Sequence, residues 1–350
     1  MNKRTIAASA GIAVVIAIAW WVGTRDDRSR SRSVVHSAEP SDPLEVEPAP
    51  TLAASEAPAV QRVVEADASA AWVAARWGSR RGELGHERPT EGNSEGPMSF
   101  AVSGHGLYVV DQINGRLVRY DAHGKVIGSA TIPETVQDVA VAKDGTSALL
   151  DRLSGKSVSL MDSSGRRVGE LPLSGIGDTG TLTGVFVDGN DVYVEQDHGG
   201  LVNVGTTNGQ PPSSPPTQLG GRPSKDGTLL LSATLAAPAE GKVTVNAIER
   251  ARNELRFARL VQFARPASMI VLLDTDAQGT IYLGVDAGEP EAASVVCMDP
   301  GDGHVLGRVQ LPVSDAPEEA FRDFAVDDDG TIVYALRTEQ GVSYSTARCP

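Results

Sequence analysis

Basic residues are scarce in this sequence relative to acidic ones. The 350 residues include 31 lysines and arginines against 45 aspartates and glutamates, which gives a formal net charge of −14 at pH 7. Several of the basic residues flank the first apolar segment, so the rest of the chain is more acidic still. Because such a surface repels the phosphate backbone of nucleic acids, we expect no nucleic-acid partner.

The residue patterns of common hydrolytic and metal centres are also missing. The chain has 6 histidines, and no two of them are spaced as zinc ligands. There is no G-x-S-x-G motif, and the cysteines show no nucleophile pattern with histidine. A zinc enzyme and a serine or cysteine hydrolase therefore have no support in the sequence, and we expect no catalytic residue of these types.

Only two cysteines are present, Cys297 and Cys349. In an oxidising compartment they could form a disulfide that ties the last strand to the preceding repeat. The alternative is two separate thiols, because a disulfide needs closely spaced Cα atoms and the sequence does not fix that distance.

Long hydrophobic segments are absent outside the N-terminus. There, residues 5–23 (TIAASAGIAVVIAIAWWVG) carry no charge. As a helix at ~1.5 Å per residue this segment would span roughly 28 Å, close to the thickness of the hydrocarbon core. It predicts a transmembrane signal-anchor helix after a short tail, residues 1–4. The alternative is a cleavable signal peptide, because Ala17-Ile18-Ala19 resembles a cleavage site.

Residues 24–69 are first charged and then rich in alanine and proline, which predicts a semi-extended linker. The arginines that follow residue 23, counted alone, would place the C-terminal side in the cytoplasm. The short basic tail and the linker favour the opposite orientation. We expect the domain at residues 70–350 on the extracytoplasmic, periplasmic side of the cytoplasmic membrane.

Aromatic residues make up only 5% of the chain, whereas there are 37 glycines. Short apolar segments alternate with glycine turns, which predicts an all-β protein. The turn glycines recur at intervals of 38 to 52 residues, at Gly106, Gly145, Gly189, Gly227, Gly279 and Gly330. Units of this length, each with several short strands, indicate a β-propeller with six four-stranded blades. Five or seven blades remain alternatives.

Two segments bear on how the ring closes. The last repeat is one strand short, and residues 70–79 (AAWVAARWGS) could supply the missing outer strand and so close the ring. Residues 246–263 fit both a helix, by the spacing of their apolar residues, and a strand, by the alternation from Leu255 to Phe263. The surrounding repeats favour the strand.

Residues 77–128 resemble a blade of the NHL-repeat family. The resemblance rests on Trp77-Gly78, Pro97, the segment Tyr108–Asp111, the segment Asn114–Leu117, and Tyr120-Asp121 with Gly124. The repeat at 134–173 matches moderately, and later repeats keep only the turn glycine and an aspartate turn. The resemblance implies a propeller fold for most of residues 70–350 and says little about function, because NHL-like propellers include scaffolds, ligand binders and a few enzymes.

Polar residues follow the second strand of several blades. In a propeller, the loops at that position share the face where ligands often enter. The candidate binding residues in these loops are Asp111, Asn114, Asp151, Glu195, His198, Asp286, Glu289 and Arg337. Converging carboxylates could hold a divalent cation, as in propeller lactonases. Alternatively, the aspartates open turns by bonding local backbone, or the acidic face attracts a basic partner.

Two further motifs suggest cofactors. Residues 274–279 (DTDAQG) resemble the start of a calcium loop, but the twelfth position is Val285 and not glutamate, so calcium has weak support. Residues 175–180 (GIGDTG) match G-x-G-x-x-G, yet a strand and not a helix follows, so we reject a dinucleotide site.

The function that the sequence favours is a membrane-tethered, non-enzymatic scaffold that binds a protein, peptide or glycan outside the cytoplasm. The alternative is a metal-dependent, lactonase-like hydrolase that uses the acidic loop ends.

Overall fold

The computed structural model describes residues 63–65, 71–286, 292–314 and 318–350. The predicted tail at 1–4, the transmembrane helix at 5–23 and most of the linker at 24–69 lie outside these residues. Among the residues described, no helix combines the length and apolarity needed to cross a membrane. The described chain consists of β-strands joined by turns, with short 3₁₀ turns at Gln112–Asn114, Thr179–Thr181 and Pro238–Glu240.

The first half of the described chain holds three of the blades. Before them come β1 (Val63–Glu65), β2 (Ala71–Arg76) and β3 (Ser94–Glu95). Blade I contains β4 (Ser99–Ser103), β5 (Gly106–Asp111), β6 (Arg116–Tyr120) and β7 (Val126–Thr131). Blade II contains β8 (Asp138–Val141), β9 (Ser147–Asp151), β10 (Ser157–Met161) and β11 (Arg167–Pro172). Blade III contains β12 (Leu182–Asp188), β13 (Asp191–Gln196), β14 (Leu201–Thr206) and β15 (Gln218–Leu219).

The second half holds the other three blades. Blade IV contains β16 (Arg222–Pro223), β17 (Leu229–Ala237), β18 (Lys242–Glu249) and β19 (Glu254–Gln262). Blade V contains β20 (Met269–Thr275), β21 (Ile281–Asp286), β22 (Ala292–Met298) and β23 (Val305–Pro312). After β24 (Glu318–Glu319), which pairs in parallel with β3, blade VI contains β25 (Phe324–Val326), β26 (Ile332–Thr338) and β27 (Gly341–Ala347). The six-bladed β-propeller predicted from the repeats is confirmed.

The ring closes by pairing the two ends of the propeller. Strand β2 lies antiparallel beside β27, with Val73 opposite Tyr344 and Ala75 opposite Val342, and so forms the outer strand of blade VI. The predicted closing segment at 70–79 is therefore confirmed. Because every strand of blade VI then has a partner, closure covers an edge that an open array would expose.

Two segments differ from expectation. Strand β1 pairs in parallel with β23, so the predicted linker at 24–69 includes a short strand; three residues carry too little hydrophobic periodicity to reveal it. Residues 246–263 form the end of β18, a turn and β19, so the strand interpretation is right and the helical one is wrong. The pairing of β18 with β17 and of β19 with β18 decides the outcome, since intrinsic propensity alone does not.

The hydrophobic core lies between neighbouring blades. Each cluster of buried side chains joins two adjacent sheets, as where Phe100 of blade I packs edge-on against Tyr344 of blade VI with ring centroids 5.1 Å apart. An edge-on aromatic pair contributes ~0.5–1.5 kcal/mol beyond its buried area. The contact of Phe100 with Tyr344 therefore helps to hold blades I and VI together.

The repeated turn in the outer half of the blades has a local cause. Asp121 accepts hydrogen bonds from the backbone N–H groups of His123 and Lys125, and Asp162 does the same in the next blade. Hydrogen bonds from Ser164 and from Arg166 lower the pKa of Asp162 to about 2. Gly124 follows with a φ of +72°, and a Cβ there would lie 2.2 Å from the Trp72 carbonyl oxygen. Aspartate therefore shapes the turn, and glycine permits the close contact with β2.

A disulfide joins Cys297 in β22 of blade V to Cys349, which follows β27 of blade VI. Their Cα atoms are 6.4 Å apart, within the range that a disulfide spans. The bond connects neighbouring blades close to where the C-terminal end of the chain completes the ring.

Candidate functional site

The candidate residues gather at one end of the propeller. We call this end the upper face; it carries the loop between the second and third strands of each blade and the connections from one blade to the next. Strands β5, β9, β13 and β21 all end there, at or beside Asp111, Asp151, Glu195 and Asp286. Antiparallel order within each blade places these strand ends on the same face.

Asp111, Asn114 and Arg116 form an anchor cluster on blade I. The buried Asp111 accepts at Oδ1 from the backbone N–H of Gly85 at 2.8 Å. At Oδ2 it accepts from Arg116 Nε at 2.7 Å and from Asn114 Nδ2 at 2.9 Å. Both carboxylate oxygens therefore have partners inside the protein, which is the condition for burying a charge.

The anchor cluster holds the loop at residues 78–85, which enters blade I from blade VI. Arg116 donates to the carbonyl oxygens of Ser79 at 3.1 Å and Glu83 at 2.7 Å, and Asn114 donates to that of Gly78 at 3.0 Å. Two side chains thus satisfy three backbone carbonyls of a loop that lies outside the strands. The aspartate, asparagine and arginine quoted for the family resemblance act as one unit here.

Glu195 makes an equivalent contact between blades III and IV. Its buried carboxylate accepts from Arg222 Nε at 2.7 Å and Nη2 at 2.9 Å, and from the Thr183 hydroxyl at 2.8 Å. Burial acts to raise the pKa of Glu195, but the hydrogen bonds and charge of Arg222 outweigh it and hold the pKa below its usual value. A bidentate guanidinium–carboxylate pair of this kind fixes both the orientation of the two side chains and the distance between them.

Changing Glu195 to glutamine is expected to make the free energy of unfolding depend less on pH in the acid range. Because the pKa of Glu195 is lowered in the folded state, its contribution is full above the usual value of 4.5 and is lost as the pH falls through the folded value. Glu195→Gln should cost about 1–3 kcal/mol at pH 7. Urea unfolding at pH 7 and pH 3 measures both effects. If wild type and Glu195→Gln lose the same free energy of unfolding between pH 7 and pH 3, the assignment is contradicted.

His198 follows Glu195 in a tight turn. Asp197 and His198 both adopt left-handed backbone conformations, with φ of 49° and 54°, and the His198 N–H donates to the Thr183 hydroxyl at 3.1 Å. The His198 side chain is 74% exposed, and its Nδ1 lies 3.8 Å from the Glu195 carboxylate. Of the predicted residues with described side chains, His198 is the one most clearly presented to solvent.

Asp151 is also bound within its own loops. The Thr135 hydroxyl and the backbone N–H of Ser154 donate to its two carboxylate oxygens. The local turn interpretation of Asp151 therefore matches its contacts. The neighbouring Leu153 projects outward from the same loop and is 53% exposed.

The remaining predicted residues lie apart from these. Arg337 is buried and donates to the Asp323 carboxylate at 2.6 Å and to the Pro97 carbonyl at 2.9 Å. Asp286 ends β21, and its carbonyl accepts from the Ser268 N–H at 2.9 Å. Glu289 lies outside the described residues. The predicted residues that the structure describes share a face, but they bind separate loops and do not form one cluster.

A central pair, Asp138 with Arg322, was not anticipated. Asp138 begins the innermost strand of blade II, and Arg322 precedes that of blade VI, 184 positions later. Arg322 donates to Asp138 at 2.8 Å and to the Val185 carbonyl of blade III at 3.5 Å, so its guanidinium crosses the ring. Asp138 also accepts from the Ser99 hydroxyl at 2.5 Å and the Val185 N–H at 2.9 Å.

The charges of the central pair support each other. Burial acts to lower the pKa of Arg322, but the Asp138 carboxylate overcomes that effect and raises it. The ring of Phe186 contacts the guanidinium groups of Arg222 and Arg322, 5.0 Å and 5.4 Å from its centroid. Because every one of these contacts joins different blades, no local motif in the sequence could reveal it.

The carboxylates that could bind a metal ion have partners within the protein. Asp276 accepts from the N–H groups of Gln278 and Thr280, and Asp274 from those of Thr275 and Val326, so both act as backbone acceptors in the predicted calcium segment. In the described part of the chain, one group of three potential ligands lies close together, at Asp299, Asp302 and His304 in an outer turn of blade V. Two of the three are exposed, and Asp302 bonds His304 at 2.7 Å.

Comparisons with known proteins give similarity of fold alone. No protein-family model matches the chain, and no curated protein matches it. Similar solved structures include Kuenenia stuttgartiensis hydrazine synthase, at 19% identity over 71% of this chain and 76% of that one, with a TM-score of 0.44. The C-terminal WD40 domain of Sif2 is 16% identical over 75% of this chain and 84% of that one, with a TM-score of 0.43. A streptogramin B lyase is 12% identical over 75% of this chain and 97% of that one, with a TM-score of 0.42.

Proposed function

We propose that the protein is a non-enzymatic scaffold whose upper face binds a protein, peptide or glycan partner. In this proposal residues 5–23 anchor the chain in the cytoplasmic membrane, and the propeller lies on the periplasmic side. The repeats are of the NHL type, an assignment supported by the anchor cluster of blade I.

One observation carries the proposal: three of the carboxylates at the ends of the second strands have protein donors on both oxygens. Asp111 is bound by the anchor cluster, Asp151 by Thr135 and Ser154, and Glu195 by Arg222. These contacts fix the loops between them. What the loops present outward are side chains such as His198 and Leu153, which suit contact with a partner.

The metal-dependent hydrolase is the weaker candidate for the same reason. A divalent cation bound to Glu195 or to Asp111 would have to displace Arg222 or Arg116. The displaced guanidinium, which is largely buried, would lose its carboxylate partner, at a cost of several kcal/mol.

The test is cross-linked capture by the full-length chain in membranes, compared between two variants. Leu153→Asp changes the upper face, and Val168→Asp places the same charge on the outer strand of the same blade, at a site of similar exposure, 45% against 53%. We expect wild type and Val168→Asp to capture the same partner, and Leu153→Asp to capture less of it by a factor of about ten or more.

A lactone hydrolysis assay on the same preparation, with Glu195→Gln beside it, tests the alternative. Hydrolysis that depends on Glu195 and on an added divalent cation, together with no partner that distinguishes the two variants, would overturn the scaffold proposal.

A further inference from the structure

A cleft lies between the loop at 78–85 and the outer strands of blade I. Its volume is ≈ 380 Å³, and its lining includes Arg81, Arg116, Val118, Val126 and Gly128. This volume is within the range of pockets that hold small ligands or one to two peptide side chains. We call it the loop cleft. The anchor cluster builds it, because Arg116 holds one wall in place.

The charge at the loop cleft is opposite to that of the protein. Arg80 and Arg81 of the loop at 78–85 are exposed, and within the described residues neither guanidinium group pairs with a carboxylate, since Glu83 of the same loop accepts from the Arg80 backbone N–H. Most other arginines in the described part of the chain have such a partner, including Arg88, Arg116 and Arg222. The one hydrogen bond of the Arg81 guanidinium is long, 3.4 Å to the Val126 carbonyl oxygen. An unpaired cationic patch on a chain of net charge −14 marks a place for an anion.

The number of guanidinium N–H donors available at the loop cleft indicates how much negative charge a bound ligand would carry there. Arg116 uses Nε for Asp111 and both terminal nitrogens for carbonyls of the loop at 78–85, so most of its N–H donors are engaged. Arg81 is therefore the residue of the cleft lining with the most guanidinium donors to offer a ligand. A single guanidinium pairs well with a singly charged carboxylate through two parallel hydrogen bonds.

The walls of the loop cleft suit a peptide. Val126, which packs on the buried Val118, gives it an apolar side, and no heavy atom lies within 4 Å of where a Cβ of Gly128 would be. An acidic residue next to an aliphatic one would place its carboxylate on Arg81 and its neighbour against Val126.

We propose that the loop cleft binds a carboxylate of an extended peptide, with Arg81 as the residue that recognises it. The inference rests on the proposed scaffold function and names the chemistry of the ligand. The carboxylate can belong to an acidic side chain or to a peptide C-terminus, and the two sources are separated by the choice of probes.

Binding is measured by fluorescence anisotropy with the full-length chain in detergent and three labelled peptides. The first is Ala-Leu-Glu-Val-Glu-Ala with an amidated C-terminus, the second has glutamine in place of both glutamates, and the third is the glutamine peptide with a free C-terminus. Saturable binding of the first or the third, and none of the second, is expected at concentrations up to about 1 mM, the weak limit of specific recognition.

Two pairs of variants locate the binding. Arg81→Glu should weaken it about tenfold or more, whereas Arg265→Glu reverses the charge of an exposed arginine elsewhere and should not. Gly128→Leu fills the cleft without touching a charge. Gly104→Leu is its control, because a Cβ at Gly104 also meets no heavy atom within 4 Å and the residue lies in the turn between β4 and β5.

The inference is overturned if neither carboxylate peptide binds the wild-type chain, or if the controls weaken binding as much as their partners. Its failure is distinguishable from that of the scaffold proposal. A partner captured equally by wild type and Arg81→Glu, but lost with Leu153→Asp, keeps the scaffold and removes the loop cleft as its site.

Discussion

Replacing Asp138 with alanine is expected to lower the free energy of unfolding by about 3–5 kcal/mol. Asp138 is fully buried, and its carboxylate receives donors from blades I, III and VI, through Ser99, Val185 and Arg322. Its loss leaves the Arg322 guanidinium without the charge that offsets its burial. Urea unfolding of the full-length chain, followed by circular dichroism, measures the effect.

The matched control is Arg166→Ala, which breaks the ion pair with Asp162. That pair is solvent-exposed, with the Arg166 side chain 79% accessible, so its loss should cost far less than the loss of Asp138. The double variant Asp138→Ala with Arg322→Ala should lose less than the two single changes added together, because removing both charges leaves neither one buried alone. Additive losses, or an Asp138→Ala variant as stable as Arg166→Ala, would refute the role of the central pair.

The fold was predictable because its signals are local and repeat. Each inner hairpin carries a turn glycine, and residues such as Gly145, Gly279 and Gly330 do adopt positive φ. A requirement that recurs in every blade leaves a period in the sequence, and the period gives the blade count. The closing strand followed from the same count, since the last repeat was one strand short.

The candidate site was predictable only in part. Asp111, Asn114 and Arg116 lie within six positions of each other, so a motif could reveal the anchor cluster. Asp138 and Arg322 meet across the ring from 184 positions apart, and neither has a distinctive neighbour. The sequence also shows that Glu195 ends a strand, but not that Arg222 from the next blade neutralises it.

The two interpretations of residues 246–263 show why short apolar segments mislead. Leu255 and Leu260 are 62% and 57% exposed on the outer strand of blade IV, so the alternation of buried and exposed residues is weak there. An outer strand contacts the core on little of its surface, and its sequence is therefore free to imitate a helix. Pairing with β18 decides the structure instead.

Breaking the disulfide is the second change with a large expected effect. Cys297 and Cys349 are 52 positions apart, and constraining a loop of that length in the unfolded chain corresponds to about 4 kcal/mol in the chain-entropy description, with measured losses of about 2–4 kcal/mol. Cys349→Ala should therefore lower the free energy of unfolding by about 2–4 kcal/mol. Cys349 is the better choice, since Cys297 is buried in β22 and its replacement would also disturb the core.

A reductant provides the control without a mutation. Wild type in dithiothreitol should fall to the stability of Cys349→Ala, and the variant itself should not respond, because it has no bond to lose. If the reductant leaves wild type unchanged while Cys349→Ala is destabilised, the loss comes from packing and not from the covalent link. Agreement of the two losses would show that blades V and VI are held together by the bond, and that the propeller gains its full stability where thiols are oxidised.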